Sequence, residues 1–140
     1  MTAVLTELPV PVQRSVERFV AFLETGETDG LFAPDVFADI SLPHWRLQVR
    51  GAETLISSKN QMHPPAGRTR IEKVLPADGG YAVKFEERWE DGGQQWYCRE
   101  AAIVDLDEQG RIAEFHYYCT GDWDEALVAQ HAEAVSLLRP

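Results

Sequence analysis

Residues 114–119, Glu-Phe-His-Tyr-Tyr-Cys, set four rings in a row beside a thiol. On a strand, successive side chains face opposite sides of the sheet, so Phe115 and Tyr117 share one face while His116 and Tyr118 share the other. Facing inward, His116 would be suited to proton transfer; facing outward, it would sit on a surface between two copies of the chain. Tyr117 and Tyr118 divide the same two alternatives. Asp39 lies in the otherwise apolar stretch Val-Phe-Ala-Asp-Ile-Ser, and a carboxylate held against apolar walls has a raised pKa and serves as a general base. His131 falls on the apolar stripe of the last predicted helix, in reach of the same region as acid, base or hydrogen-bond donor. Asp39, His116, Tyr117 and His131 are therefore the expected catalytic groups.

A wall for a ligand is also legible. Trp45 and Arg46 follow Pro43-His44 and offer an aromatic surface with a neighbouring cation, suited to an anionic or carbonyl-bearing ligand. Phe85, Trp89, Trp96, Phe115 and Tyr118 are the other expected binding residues. Glu87 and Glu100 fall on the same predicted strand face as Phe85 and Trp89, where a carboxylate needs a partner or a proton. Cys98 and Cys119 read as buried thiols on neighbouring strands, and two cysteines without a CxxC pair make no disulfide scaffold. His44, His63, His116 and His131 show no metal-ligand spacing, so neither a metal nor another cofactor is expected.

These residues need elements to position them. Val12, Val16, Phe19, Val20 and Leu23 recur at helical spacing after Pro9 and Pro11, and Gly26 ends that helix. Glu-Thr-Asp-Gly-Leu-Phe has room for one short helical turn. Strand patterns follow at residues 36–41 and 45–50, then a modest helix beginning at Ala52, the loop His-Pro-Pro-Ala-Gly, and extended segments at 68–75, 81–90, 95–107 and 111–119. Asp122 with Glu125 three residues on predicts the cap of a last helix whose stripe runs through Trp123, Leu127, His131, Ala134 and Leu138. Helices first and long antiparallel strands after them predict an α+β fold, with the helices on one face of a bent sheet.

Strand register can be tested in advance. A two-residue Gly92-Gly93 turn sets Trp89 opposite Trp96, Arg88 opposite Tyr97 and Glu86 opposite Arg99. At the next turn two registers remain open. A four-residue loop places Cys98 opposite Cys119, and a three-residue loop places Ala102 opposite His116; the slip exchanges the faces of the whole final strand.

The chain has 140 residues, 44% of them hydrophobic and 26% charged, which fits a single domain spanning residues 1–140. A formal net charge of -10 opposes binding to nucleic acid or to anionic membranes. The first residues lack the basic flank and cleavage pattern of a leader, and no apolar run is long enough to span a bilayer. The expected location is the cytoplasm.

Three stretches, residues 18–40 (RFVAFLETGETDGLFAPDVFADI), 50–55 (RGAETL) and 107–118 (DEQGRIAEFHYY), resemble the nuclear transport factor 2-like superfamily, which includes ketosteroid isomerase, limonene epoxide hydrolase and the SnoaL-like polyketide cyclases. The resemblance implies a cone-shaped, curved antiparallel sheet wrapped around the N-terminal helices (a cystatin-like α+β barrel), here with an added C-terminal helix. It also implies an apolar cavity open at one end and a homodimer formed through the outer face of the sheet. Departures are visible as well: Phe19 stands where ketosteroid isomerase carries a tyrosine, and Phe115 and Tyr117 stand where the cyclases carry a histidine and an aspartate. The expected function is a cofactor-independent acid-base enzyme (isomerase, cyclase, dehydratase or hydrolase) acting on an apolar small molecule. The alternative is a non-catalytic ligand-binding or dimerisation protein of the same fold.

Overall fold

The structure is a computed structural model that describes residues 7–64 and 66–140. The first six residues, on which the leader-free reading partly rests, and Pro65 of the expected loop lie outside the described residues. Helix α1 (Val10–Thr25) follows Pro9 at its cap, and Gly26 closes it in the left-handed conformation, its N–H donating to the Phe22 carbonyl at 2.9 Å. Val12, Val16, Phe19 and Leu23 of the expected stripe are buried, while Val20 is only half-buried and Phe22 takes its place in the core. The expected short helical turn at residues 27–32 is only a hydrogen-bonded turn, with Leu31 N–H donating to Thr28 O.

Strands β1 (Phe32–Leu42) and β2 (Trp45–Arg50) form a hairpin across Pro43-His44, and helix α2 (Ala52–Met62) follows. Strands β3 (Arg68–Ala77), β4 (Gly80–Asp91), β5 (Gln94–Leu106) and β6 (Ile112–Cys119) precede helix α3 (Glu125–Ala134). The six strands form one curved, unclosed sheet in the order β2-β1-β6-β5-β4-β3. The fold is α+β as expected, and the sheet is mixed: β1 and β6 run parallel, which brings the first and last strands side by side within it, while the other pairings are antiparallel.

The β4–β5 register is the expected one, with Trp89 opposite Trp96, Arg88 opposite Tyr97 and Glu86 opposite Arg99. The β5–β6 register opens as the three-residue-loop alternative predicts and then departs from both alternatives. Leu106 pairs with Ile112, but Asp105 pairs with Glu114, so Ala113 is the extra residue of a bulge and Cys119 arrives opposite Glu100. The faces nevertheless come out as in the first alternative. Phe115, Tyr117 and Cys119 share the inner face with Cys98, Glu100 and Ala102, and His116 and Tyr118 face outward.

The core lies between α1 and this inner face. Phe85 is fully buried, and the Phe19 ring meets it edge-on at 5.2 Å and reaches Phe115 at 5.7 Å. Ser15 and Tyr81 satisfy each other at 2.8 Å inside this layer, and burial pushes the Tyr81 phenol up to about 12. Helix α3 is a peripheral element that buries none of its residues. Its cap is Asp124, whose carboxylate accepts from Leu127 N–H at 2.9 Å, and not Asp122, whose carboxylate is engaged elsewhere. The helix also stops at Ala134, so the expected stripe never reaches Leu138, which is fully exposed. No helix among the described residues is long and apolar enough to cross a membrane.

Candidate functional site

A cavity of about 310 Å3 opens between α1, α2 and the inner face of the sheet. Most of its wall is apolar: Phe19, Phe22 and Leu23 come from α1, Phe32 and Ile40 from β1, and Leu55 from α2. Six polar or titratable residues interrupt that wall: Lys59, His63, Glu87, Tyr117, Cys119 and Asp122. Their sources differ by up to 63 positions in sequence. The curved sheet is what brings them together.

Glu100 stands behind this group. It is 4% exposed, and its carboxyl meets the Tyr117 hydroxyl at 2.5 Å and accepts from the Cys98 thiol at 2.7 Å. Burial, reinforced by the charge of Glu87, pushes the Glu100 carboxyl well above the usual carboxylate range. Burial and the neighbouring Glu100 likewise raise the Tyr117 phenol. The Tyr117 hydroxyl donates to Glu100 Oε2; a proton on Glu100 would reverse that bond and turn the Tyr117 hydrogen into the cavity.

A second unit crosses the mouth. His63 follows α2, its ring lies against Trp89 with centroids 4.1 Å apart, and Nε2 is 3.1 Å from the Asp122 carboxylate. Its Nδ1 lies 4.0 Å from Glu87. In the tautomer that carries its hydrogen on Nε2, the ring donates to Asp122 and presents the Nδ1 lone pair to Glu87.

The two thiols differ. The contact with Cys119, together with burial and the Glu100 carboxyl, pushes the Cys98 thiol far up. Cys119 is brought down to about 7 by the Cys98 hydrogen bond, against the opposing effect of burial and with help from the Gly121 N–H at 3.3 Å. Two donor sets could hold a metal ion, Cys98 with Cys119 and Asp122, and Glu87 with Cys98 and Glu100, each with ligand atoms within 4.8 Å. The expectation of no metal rested on histidine spacing, and these sets are built from thiols and carboxylates. An ion would have to displace the Cys98–Glu100 bond in either one.

The expected catalytic residues do not converge. Of Asp39, His116, Tyr117 and His131, only Tyr117 lines the cavity. Asp39 is on the outer face between the small-to-large row of Ala38 and Ile40, which point inward. Arg46 clamps it through two guanidinium nitrogens and Gln48 donates to it at 3.1 Å, so its carboxyl is held at about 2, ionised rather than poised as a base. His116 pairs with Asp39 across the parallel strands and faces outward with it. His131 packs its ring on Trp123, 5.1 Å away, and Trp123 leans edge-on against Tyr97 of β5.

The expected binding residues divide in the same way. Phe115 lines the cavity, and Phe85 supports it from the core. Trp89 touches it through His63, and Trp96 stacks on Trp89 at 6.4 Å. Trp45, Arg46 and Tyr118 are outside it. Trp45 is 70% exposed because the tight Pro43-His44 turn leaves it at the tip of the β1–β2 hairpin. Lys59 and His63 carry no expectation from the sequence. Lys59 follows Leu55, the buried residue of α2, by one helical turn, a spacing that aims it at the same wall. His63 meets Asp122 across 59 positions, and nothing local announces that contact.

No family model matches the chain, and no curated protein sequence does either. Solved structures do. An NTF2-like protein from Anabaena variabilis is 16% identical and aligns over 78% of this chain and 86% of its own, with a TM-score of 0.65. The fold is that of the NTF2-like proteins. An M. tuberculosis LEH-like epoxide hydrolase is 15% identical over 76% of this chain and 80% of its own, with a TM-score of 0.61. A candidate SnoaL-like polyketide cyclase from Jannaschia sp. CCS1 is 15% identical over 93% and 98%, with a TM-score of 0.58. At these identities the NTF2-like likeness describes the backbone, and the chemistry rests on this chain's own side chains.

Proposed function

We propose that the protein binds a small apolar molecule bearing a carbonyl oxygen in this cavity and catalyses a cofactor-independent proton transfer on it. The observation that carries the reading is the Glu100–Tyr117 pair, a carboxyl with a raised pKa bonded to a phenol that lines an otherwise apolar cavity. Tyr117 donates to the ligand oxygen as negative charge gathers there, and protonated Glu100 supports it from behind. Glu87, across the same wall, takes the proton from the adjacent carbon, and the His63–Asp122 pair relays it toward the mouth. Apolar walls exclude water and strengthen each of these contacts. That NTF2-like structures include one named an epoxide hydrolase and one named a polyketide cyclase is consistent with small-molecule chemistry in this fold.

The proposal takes residues 1–140 as one domain, located in the cytoplasm and working as a homodimer through the outer face of the sheet. Leu75 and Ile103 lie in one row of that face and are each 54% exposed, which favours a partner there.

The test is proton exchange in D2O, followed by NMR on a panel of cyclic and medium-chain ketones that raise the melting temperature. A ligand at a hundredfold excess over its dissociation constant adds about 2.7 kcal/mol of stability, which a thermal shift registers. Exchange beside the carbonyl faster than in buffer, and lost in Glu87→Gln, supports the enzyme. Stabilisation without exchange leaves the non-catalytic binding protein as the function, and no stabilisation by any member of the panel refutes the ligand class.

A further inference from the structure

Lys59 stands apart from every group used above. Its stem runs along the α2 side of the cavity, and its Nζ is shielded from solvent with no hydrogen-bond partner among the described residues. The Phe22 ring lies with its centroid 5.7 Å from Nζ. An ammonium brings three donors, and leaving them all unanswered in an apolar wall is costly. The other two lysines are unlike it: Lys84 pairs with Glu72 at 3.2 Å on the outer face, and Lys73 is exposed on β3.

We propose that Lys59 forms an imine with the carbonyl carbon of an apolar aldehyde or ketone held in the cavity. This rests on the carbonyl-bearing ligand proposed above and adds a covalent step to it. Burial lowers the Lys59 amine below the ordinary lysine range, against the pull of the Glu87, Glu100 and Cys98 charges, so it gives up its proton more readily than an exposed lysine does. The Nζ lone pair forms the C–N bond, and the carbonyl oxygen takes a proton from Tyr117, which Glu100 replaces. A nitrogen proton passes to Glu87, which hands it to the new hydroxyl as the C–O bond breaks; one water leaves, the C=N bond forms, and the protonated imine gives its remaining proton back through Tyr117 to Glu100. No electrons are gained or lost, and the step reverses by hydrolysis.

The experiment is reductive trapping of the whole protein with octanal and sodium cyanoborohydride, with the adduct mapped by peptide mass spectrometry. In parallel, octanol, which cannot form an imine, is titrated against tryptophan fluorescence. The expected result is one alkyl chain per protein, with Lys59 labelled at least about tenfold faster than Lys73 or Lys84, and loss of that label in Lys59→Arg and Lys59→Met. Mapping on the unaltered protein makes the result independent of how well either variant folds. Equal labelling of the three lysines, or no adduct where octanol binds, overturns the imine and leaves the cavity reading standing. No binding of octanol and no adduct overturns both.

Discussion

A Glu100→Gln variant is expected to resist urea better than the wild-type protein, by a margin that widens as pH rises. Glu100 has a folded-state pKa above its unfolded value, so across the window between the two the folded chain holds a proton that the unfolded chain has released. Stability therefore falls with rising pH there, by about 1.4 kcal/mol per pH unit for a single such group. Glutamine fills the same space, accepts from Cys98 and donates to the Tyr117 oxygen without ever ionising. Urea titrations from about pH 5 to about pH 8 measure the margin, and parallel curves for the two proteins would remove the raised carboxyl from the account. The same variant is expected to lose proton-transfer activity, because an amide cannot return the proton that Tyr117 gives away. A gain in stability with a loss of function is the signature of a group kept for its chemistry.

The second large effect is structural. A Cβ on Gly80 would lie 1.9 Å from the carbonyl oxygen of Val104 and 3.0 Å from its carbon, where β4 and β5 come together beside the buried Tyr81. Neither partner is a flexible side-chain end, so the strands themselves must part. Gly80→Ala is expected to cost more than about 3 kcal/mol, while Gly79→Ala, which meets nothing within 4 Å but needs a φ of +78°, costs about 1 kcal/mol. Chemical unfolding of the two variants compares them directly. Equal losses would mean that the β4–β5 contact is looser than described.

Much of this architecture was legible because local signals agreed. The α1 stripe ends on a glycine, and the Gly92-Gly93 turn settles twelve paired positions of β4 and β5 at once. The final strand resisted because a bulge at Ala113 depends on the pairing of two strands, and no residue type there announces it. Its faces survived because the shift from the first expected register is an even number of residues, which preserves the alternation. The parallel β1–β6 pairing is likewise long-range information, and it decided that His116 lies beside Asp39 on the outside.

The site was half legible for related reasons. Glu87 and Glu100 stand out as inward carboxylates once the β4–β5 register is known. Asp39 misled because an acid in an apolar strand resembles a buried base, whereas the hairpin places Arg46 and Gln48 beside it. Reading the two-residue Pro43-His44 turn forward would have supplied that partner. Asp122 has the spacing to Glu125 of a helix cap, but Asp124 takes that role and frees Asp122 for His63. His131 misled because a stripe on a terminal helix reads as buried until the helix is seen to bury nothing.

The most direct measurement is a crystal structure with a medium-chain ketone such as 2-decanone. The account predicts the chain lying between Phe19, Phe22 and Phe115, with its carbonyl oxygen within hydrogen-bond distance of the Tyr117 hydroxyl. A ketone bound only on the outer face near Trp45, or lying in the cavity with its carbonyl turned away from Tyr117, would contradict it.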